Sequence, residues 1–339
     1  MTVVTDPSAV SRIEGKPRVV VTRKLLPSIE ARMRELFDVA LNPDDTAMDR
    51  RQLAEAMDDC DVLVPTVTDR IDADLIDGAG ERLKLIANFG AGYEHIDLAA
   101  ARARKIMVTN TPSVFTDDTA DLTLALIISV SRRFGASVRQ LHAGEWKGWA
   151  PSGPLGHCLG GKLLGIVGMG RIGQAVAHRA RAFGMEIAYH NRNRLAPAIE
   201  NMLAARYEPD LDALIAKADV LTLHCPASEE THHLLDAVRI ASMKPHTYVV
   251  NTARGQLVDE NALIDALATG KIGGAGLDVY SQEPQVDPRL LALPNVVALP
   301  HLGSATFEGR EEAGEKVIAN IRFWADGHRP PDQVLTEWE

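Results

Sequence analysis

Short apolar runs rich in β-branched residues alternate with helical patterns along most of this 339-residue chain. In the first third the runs are RVVVT (18–22), DVLVP (61–65), LKLIA (83–87) and IMVTN (106–110). Between them, segments such as PSIEARMRELF and RQLAEAM place apolar residues at helical spacing. Strands of this length joined by helices predict βα units and therefore a parallel sheet.

The alternation breaks in the middle of the chain and then starts again. A long apolar helix is predicted from about Thr119 to Arg133, and the Trp-, Gly- and Pro-rich stretch GEWKGWAPSGPLG follows it. From Leu163 onward the predicted strands are LLGIV, EIAYH, VLTLH, TYVVN, AGLDV and NVVAL. We therefore expect an α/β fold with two doubly wound parallel-sheet domains.

Composition limits the partners and the compartment. With 36 basic and 46 acidic residues the formal charge is −10, which argues against nucleic acid or an anionic membrane as the main partner. The most apolar segment is far shorter than the roughly 20 residues that cross a bilayer. The cysteines Cys60, Cys158 and Cys225 form no CxxC pair, so we expect no metal site and a cytoplasmic protein. Residues 1–16 are predicted to be a disordered lead.

A glycine-rich loop follows the first strand of the second half. LLGIVGMGRIG places Gly168, Gly170 and Gly173 in GxGxxG spacing, with Arg171 and Ile172 between the last two. The first glycine permits a tight turn, the second lets a pyrophosphate approach the backbone, and the third allows close helix packing. The N–H groups at the start of the helix attract phosphate. The loop therefore predicts a dinucleotide-binding domain.

The next strand ends in the basic stretch HNRNR. Asn191 stands where an Asp or Glu would bind the ribose hydroxyls of NAD and would repel a 2′-phosphate. Arg192 and Arg194 can instead form charge-assisted hydrogen bonds with such a phosphate. The stretch favours NADP(H), with NAD(H) as the second possibility. The competing interpretation is a solvated basic loop that tolerates either cofactor.

Three ionisable residues follow three successive predicted strands. Arg254 comes after TYVVN, Glu283 after AGLDV and His301 after NVVAL. In open α/β sheets ligands bind at these strand ends. An arginine can bind a carboxylate and polarise the neighbouring carbonyl, and a histidine whose charged form is favoured by a glutamate can donate a proton. The three together predict reduction of a 2-oxo acid. Each residue alone has another explanation. Arg254 could bind a pyrophosphate, Glu283 could cap a turn, and His301 could be a buried core histidine.

The motifs NFGAGYEHID, GKLLGIVGMGRIG, VNTARGQLVDE, GAGLDVYSQEP and PHLGSAT occur in order between about Val19 and Ala325. Through them the chain resembles the D-isomer-specific 2-hydroxyacid dehydrogenases. The segment DVLVPTVTDRIDADLID looks most like the glyoxylate/hydroxypyruvate reductase branch. The resemblance implies catalytic roles for Arg254, Glu283 and His301. It implies substrate binding by Arg254 and by the backbone of Gly90, Ala91 and Gly92. The remaining cofactor-binding residues that we expect are His224, Cys225, Pro226, Thr252, Ala253, Asp278 and Gly303.

The resemblance also implies the domain arrangement. We expect a flavodoxin-like substrate-binding domain from residues 17–112 and 306–339, a Rossmann domain from 113–305, and a cleft between them. The region 119–150 is predicted to form a homodimer, and burial of its helix within a monomer is the alternative. The expected reaction is NADPH-dependent reduction of glyoxylate or hydroxypyruvate to the D-2-hydroxy acid, with the proton from His301. A dinucleotide-sensing, corepressor-like regulator and a reductase of bulkier 2-oxo acids, such as 2-ketogluconate or phenylpyruvate, stay open.

Overall fold

The computed structural model describes residues 15–334, which divide into two compact units. Unit one contains the described residues up to Phe115 and from Thr306 onward, and unit two contains Thr116–Ala305. The first boundary lies three residues after the predicted one at 112, and the second coincides with the predicted boundary at 305. Residues 1–14 of the predicted lead lie outside the described part. Which unit binds the substrate stays a prediction.

The strands of unit one form a five-stranded parallel sheet of order β2-β1-β3-β4-β5. They are β1 Arg18–Val21, β2 Asp38–Ala40, β3 Val62–Val64, β4 Leu85–Ala87 and β5 Met107–Thr109. This order is that of a flavodoxin-like doubly wound sheet. The predicted α/β class is confirmed for this unit. The short edge strand β2 was not predicted.

Unit two contains a seven-stranded parallel sheet of order β12-β11-β10-β9-β6-β7-β8. The strands are β6 Leu163–Val167, β7 Glu186–His190, β8 Ala205–Tyr207, β9 Val220–Leu223, β10 Tyr248–Asn251, β11 Gly274–Leu277 and β12 Val296–Ala298. The strand order reverses between β6 and β9, where ligands bind in open α/β sheets. The second predicted parallel sheet is confirmed, and β8 is a further edge strand that was not predicted.

Helices cover both sheets. They are α1 Pro27–Leu36, α2 Arg50–Asp59, α3 Ala73–Asp77, α4 Leu98–Ala103, α5 Thr116–Ser131, α6 Phe134–His142, α7 Arg171–Ala182, α8 Pro197–Leu203, α9 Leu211–Lys217, α10 Ala237–Ser242, α11 Glu260–Ala268, α12 Pro288–Ala292 and α13 Phe307–Ala325. Because strands such as β9, β10 and β11 are buried along their whole length, they lack the alternation of a half-exposed sheet. Among the described residues, no helix is long and apolar enough to cross a membrane.

The apolar helix α5 packs inside unit two. It contacts α7, β10 and β11. Its buried side chains include Leu124, Leu126 and Ile127, which belong to the same hydrophobic cluster as β6. The core of its own unit covers this helix, so its apolar character alone does not require a second subunit. The dimer itself stays a prediction.

The last helix, α13, completes unit one. Val317, Ile318, Ile321 and Trp324 are buried in one cluster with apolar residues of β1, β3 and β4. Helix α13 therefore covers one face of the five-stranded sheet, although it follows all of unit two in the chain. Thr306 caps the helix by accepting the N–H of Gly309 at 2.9 Å.

Candidate active site

The three predicted glycines form a tight cradle at the end of β6. Gly168 has φ +96°, and a Cβ on it would lie 2.5 Å from the backbone nitrogen of Cys225. A Cβ on Gly173 would lie 2.3 Å from the carbonyl oxygen of Gly168, whereas open space surrounds Gly170, which precedes α7. Close packing thus excludes a side chain at Gly168 and at Gly173, whereas the space beside Gly170 is free for a ligand. This arrangement fits a pyrophosphate at the start of α7.

The predicted HCP segment follows β9, next to the glycine cradle. The N–H of His224 donates to the carbonyl of Val167 at 2.8 Å, and its Nε2 lies 2.9 Å from Thr222 Oγ1. Burial lowers the pKa of His224 to about 3, so its ring is neutral at physiological pH. Burial also raises the pKa of the Cys225 thiol to about 11. This segment therefore adds no charge beside the cradle, while the exposed Pro226 ends it.

Asn191 makes a contact that was not predicted from the sequence. Its Oδ1 accepts the backbone N–H of Met169 in the glycine-rich loop at 2.6 Å, and its carbonyl accepts the hydroxyl of Tyr207 at 3.1 Å. Asn191 therefore connects the end of β7 to the cradle. An aspartate at this position could accept the same N–H.

The two predicted phosphate-binding arginines have different surroundings. Arg194 makes two hydrogen bonds with Glu200, of 2.9 and 2.8 Å, and Glu200 also accepts the hydroxyl of Tyr189 at 2.7 Å. The hydrogen bond from Arg194, then that from Tyr189, keeps the pKa of Glu200 below its usual value. Arg192 is 86% exposed and lies 3.4 Å from the exposed Glu230. Arg194 is thus held in place, and Arg192 can reorient at little cost.

Glu283 and His301 form a hydrogen-bonded pair beyond β11 and β12. Glu283 Oε2 lies 2.6 Å from His301 Nδ1, and Glu283 Oε1 accepts the N–H of Tyr280 at 2.9 Å. Burial raises the pKa of Glu283, but His301, the Tyr280 N–H and the charge of Arg254 together bring it below its usual value. Glu283 is therefore ionised at neutral pH. Because an ionised carboxylate only accepts, Nδ1 carries a proton and Nε2 remains for proton exchange.

His301 occupies a turn that Asp278 holds in place. It has φ +54°, in the left-handed region that non-glycine residues rarely adopt. Asp278 is fully buried, and its carboxylate accepts the N–H groups of Leu302 at 2.6 Å and Gly303 at 2.8 Å. Its carbonyl accepts the N–H of His301 at 3.0 Å. Thr119 Oγ1 donates to the Gly303 carbonyl at 2.9 Å, a contact that joins α5 to this turn.

The turn that carries Arg254 is fixed by the last residue of β10. Asn251 Oδ1 accepts the N–H of Ala253 at 3.0 Å, and its Nδ2 donates to the Arg254 carbonyl at 2.8 Å. Thr252 lies next to α5, with its hydroxyl 2.9 Å from that of Thr123. A Cβ on Gly255 would lie 1.9 Å from the Tyr280 carbonyl group, so this turn packs against the segment that leads to Glu283. Unit two thus brings the three predicted catalytic residues together.

The predicted carboxylate-binding loop follows β4 in unit one. Asn88 Nδ2 donates to the carbonyls of Gly90 at 3.1 Å and Gly92 at 2.8 Å, and Asn110 Nδ2 donates to that of Ala91 at 2.7 Å. The three carbonyls are therefore held by side-chain amides. Asn88 and Asn110 were not predicted, although each directly follows a predicted strand core and could have been recognised by that position.

Comparisons with known proteins agree with this geometry. The family described as D-isomer specific 2-hydroxyacid dehydrogenase, NAD binding domain, matches residues 124–303. The chain is 44% identical over 323 residues to the glyoxylate reductase of Thermococcus litoralis, covering 94% of this chain and 97% of that one. The chain belongs to the D-isomer specific 2-hydroxyacid dehydrogenase family. The family predicted from the motifs is thereby confirmed.

Solved structures of the family have the same fold. A D-isomer specific 2-hydroxyacid dehydrogenase from Polaromonas sp. is 39% identical, with a TM-score of 0.89 over 95% of this chain and 100% of that one. A glyoxylate/hydroxypyruvate reductase from Sinorhizobium meliloti, described as NADPH-dependent and solved with NADP and malonate, is 34% identical. Its TM-score is 0.83, over 94% of this chain and 97% of that one. This 2-hydroxyacid dehydrogenase is therefore an oxidoreductase with a nicotinamide dinucleotide cofactor.

Replacing Asp278 tests whether its carboxylate holds the turn of this dehydrogenase. In Asp278→Ala the N–H groups of Leu302 and Gly303 lose their acceptor, which costs about 1–3 kcal/mol for the buried N–H of Gly303 and less for the partly buried one of Leu302. We expect Asp278→Ala to have a lower thermal midpoint and to lose 2-oxo acid reduction. Asp278→Asn should lie between the wild type and Asp278→Ala, because it keeps one acceptor oxygen. Thermal unfolding and initial rates measure both effects. Wild-type stability and turnover in Asp278→Ala would disprove the role.

Proposed function

We propose that this enzyme reduces glyoxylate or hydroxypyruvate to the D-2-hydroxy acid, with NADPH as the preferred donor. The observation that carries the proposal is the Glu283–His301 pair, joined at 2.6 Å, with the charge of Arg254 acting on the same carboxylate. Relatives named glyoxylate reductase, at 44% and 41% identity, support a small 2-oxo acid.

Each catalytic residue has one part in the proposed reaction. The glycine-rich loop at the start of α7 would hold the dinucleotide, which when bound would supply the hydride for the 2-oxo carbon. Arg254 binds the substrate carboxylate and polarises the neighbouring carbonyl through charge-assisted hydrogen bonds. His301 gives the proton of Nε2 to the carbonyl oxygen, while Nδ1 stays hydrogen-bonded to Glu283. The N–H groups of Gly90, Ala91 and Gly92 are the second proposed donors to the substrate carboxylate.

The proposed preference for NADPH rests on Asn191 and Arg192, which directly follow β7. Asn191 lacks the negative charge that would repel a 2′-phosphate, and its side chain stays bonded to Met169. Arg192 is the cation that can turn toward the phosphate, because its contact with Glu230 is exposed and 3.4 Å long. Arg194 contributes mainly by holding the loop through Glu200. Asp278, Thr252, Ala253 and Gly303 remain proposed contacts of the nicotinamide side.

We also propose a homodimer through the region 119–150. Phe134, Val138 and Leu141 are about half exposed and lie on one face of α6. Trp146 and Trp149 follow and are 61% and 86% exposed. A contiguous apolar face of this kind is typical of a protein interface.

Sedimentation velocity tests the dimer. We expect a mass near twice the 36.8 kDa of one chain. Val138→Glu should reduce it to one chain, because a charge would be buried in the interface. Val238→Glu is the matched control, since Val238 is also exposed but lies on α10. A wild-type mass near one chain would reject this proposal.

Initial rates with purified protein test the reaction. Glyoxylate, hydroxypyruvate, pyruvate and phenylpyruvate are each paired with NADPH and NADH, and we expect the small acids with NADPH to be fastest. His301→Gln should lower kcat by about 10²–10⁴-fold, because the general acid is lost. His178→Gln, an exposed histidine on α7, is the control and should leave kcat unchanged.

Three results would contradict the proposed reaction in different ways. Nearly full activity in His301→Gln would remove the acid role of this residue. Faster turnover of phenylpyruvate would indicate a reductase of bulkier acids. Tight NADPH binding without turnover of any acid would favour a dinucleotide sensor.

The cofactor preference is tested with three variants. Asn191→Asp should shift the preference toward NADH, because its carboxylate would repel the 2′-phosphate. Arg192→Ala should raise the KM for NADPH but not for NADH. Arg194→Ala should lower the thermal midpoint more than Arg192→Ala, since it leaves the buried Glu200 without its cation. Strong preference for NADPH in Asn191→Asp would show that this residue does not discriminate between the cofactors.

A further inference from the structure

Arg310 is a half-buried cation of unit one that the proposed reaction does not use. It lies in α13, and its guanidinium carbon is 5.9 Å from the ring centre of Phe89 and 5.8 Å from that of Phe115. Both rings are buried, at 6% and 8% exposure. An arginine between two aromatic faces gains cation–π stabilisation and is held in a defined position.

The charge of Arg310 is not compensated within the described residues 15–334. No carboxylate in that range forms an ion pair with it, and burial alone, without any opposing acidic group, lowers the pKa of its guanidinium. The faces of two phenylalanine rings offset only part of the cost of removing a cation from water. A bound anion would therefore gain from this charge more than from an exposed arginine.

Phe89 connects Arg310 to the proposed carboxylate-binding loop. It directly precedes Gly90, and its N–H donates to the carbonyl of Pro65 at 2.9 Å. The side-chain amides of Asn88 and Asn110 bind the carbonyls of Gly90–Gly92, so the N–H groups of these three residues remain as the donors of the loop. The guanidinium and these N–H groups thus belong to one part of unit one, at the end of β4.

We infer that Arg310 is a positioning and specificity residue, which holds Phe89 and supplies positive charge for the anion bound at Gly90–Gly92. This inference rests on the proposed function, because the anion is the carboxylate of the 2-oxo acid. The residue acts through the loop and through its electric field, and it takes no part in hydride or proton transfer. It therefore strengthens substrate binding and leaves the chemical step nearly unchanged.

The test compares Arg310→Met, Arg310→Lys and Arg322→Met with the wild type. Methionine keeps much of the apolar stem and removes the charge, whereas lysine keeps the charge. Arg322 is an exposed arginine near the end of the same helix and serves as the control. Steady-state rates with glyoxylate at saturating NADPH give KM and kcat for each protein at several ionic strengths.

We expect Arg310→Met to raise the KM for glyoxylate about tenfold, as for the loss of a charge–charge attraction at a partly buried site, with kcat changed by no more than about twofold. The KM of Arg310→Met should also depend less on ionic strength. Arg310→Lys should restore most of the affinity and of the salt dependence, and Arg322→Met should match the wild type.

Two results would overturn the inference. One is an unchanged KM in Arg310→Met. The other is an equal loss of kcat in the Met and Lys variants with unchanged salt dependence, which would indicate packing alone. If Arg310→Met does not fold, Arg310→Gln takes its place and must show the same order of KM values.

Wild-type turnover of glyoxylate, measured first, tests the proposed function separately from Arg310. Should glyoxylate not be the substrate, oxalate binding to the NADPH-bound protein, followed by NADPH fluorescence, compares the same variants. Weaker oxalate binding in Arg310→Met but not in Arg322→Met supports the inference, and equal binding in both rejects it.

Discussion

The arrangement of the site depends on one buried carboxylate. Asp278 lies at the end of β11 and accepts two N–H groups of the turn that follows β12, while its carbonyl accepts the N–H of His301. A buried carboxylate is tolerated when hydrogen bonds satisfy it, and a left-handed histidine persists only when its surroundings determine it. Here the N–H groups of the turn satisfy the carboxylate of Asp278, and Asp278 in return fixes the turn that holds His301 in its left-handed conformation. The position of the proposed general acid is therefore set by backbone hydrogen bonds rather than by packing of its ring.

At other strand ends, side-chain amides fix the loop backbone through hydrogen bonds. Asn88 and Asn110 hold the carbonyls of the loop after β4, Asn251 holds both ends of the turn with Arg254, and Asn191 holds the glycine-rich loop. An amide offers a donor and an acceptor, so it can bond to irregular backbone that no neighbouring strand reaches. Loops are usually the mobile part of a domain, and proposed ligand contacts on them need such support. Asparagine at the end of a parallel strand is thus part of the site even where it touches no ligand.

The fold could be predicted from hydrophobic periodicity wherever an element was long enough to show one. Of the twelve strands within residues 15–334, ten were predicted, and the other two, β2 and β8, each contain three residues at a sheet edge, too few for a pattern. Helix α5 was predicted as buried, but hydropathy does not say against what. The structure gives the answer: α7 and the sheet of its own unit cover it, while the exposed apolar residues follow in α6.

A charged residue in the sequence says less about the geometry of a site than glycine spacing does, for a physical reason. The glycines act through their own backbone, so GxGxxG carries its geometry with it. The effect of an arginine depends on its partners. Arg194 stays a predicted phosphate ligand, but Glu200 of α8 is paired with it. Arg310 was not among the predicted site residues, and it meets two aromatic rings and no carboxylate among the described residues. A cation indicates an anionic ligand only where the fold leaves its charge uncompensated, and that depends on residues distant in the chain.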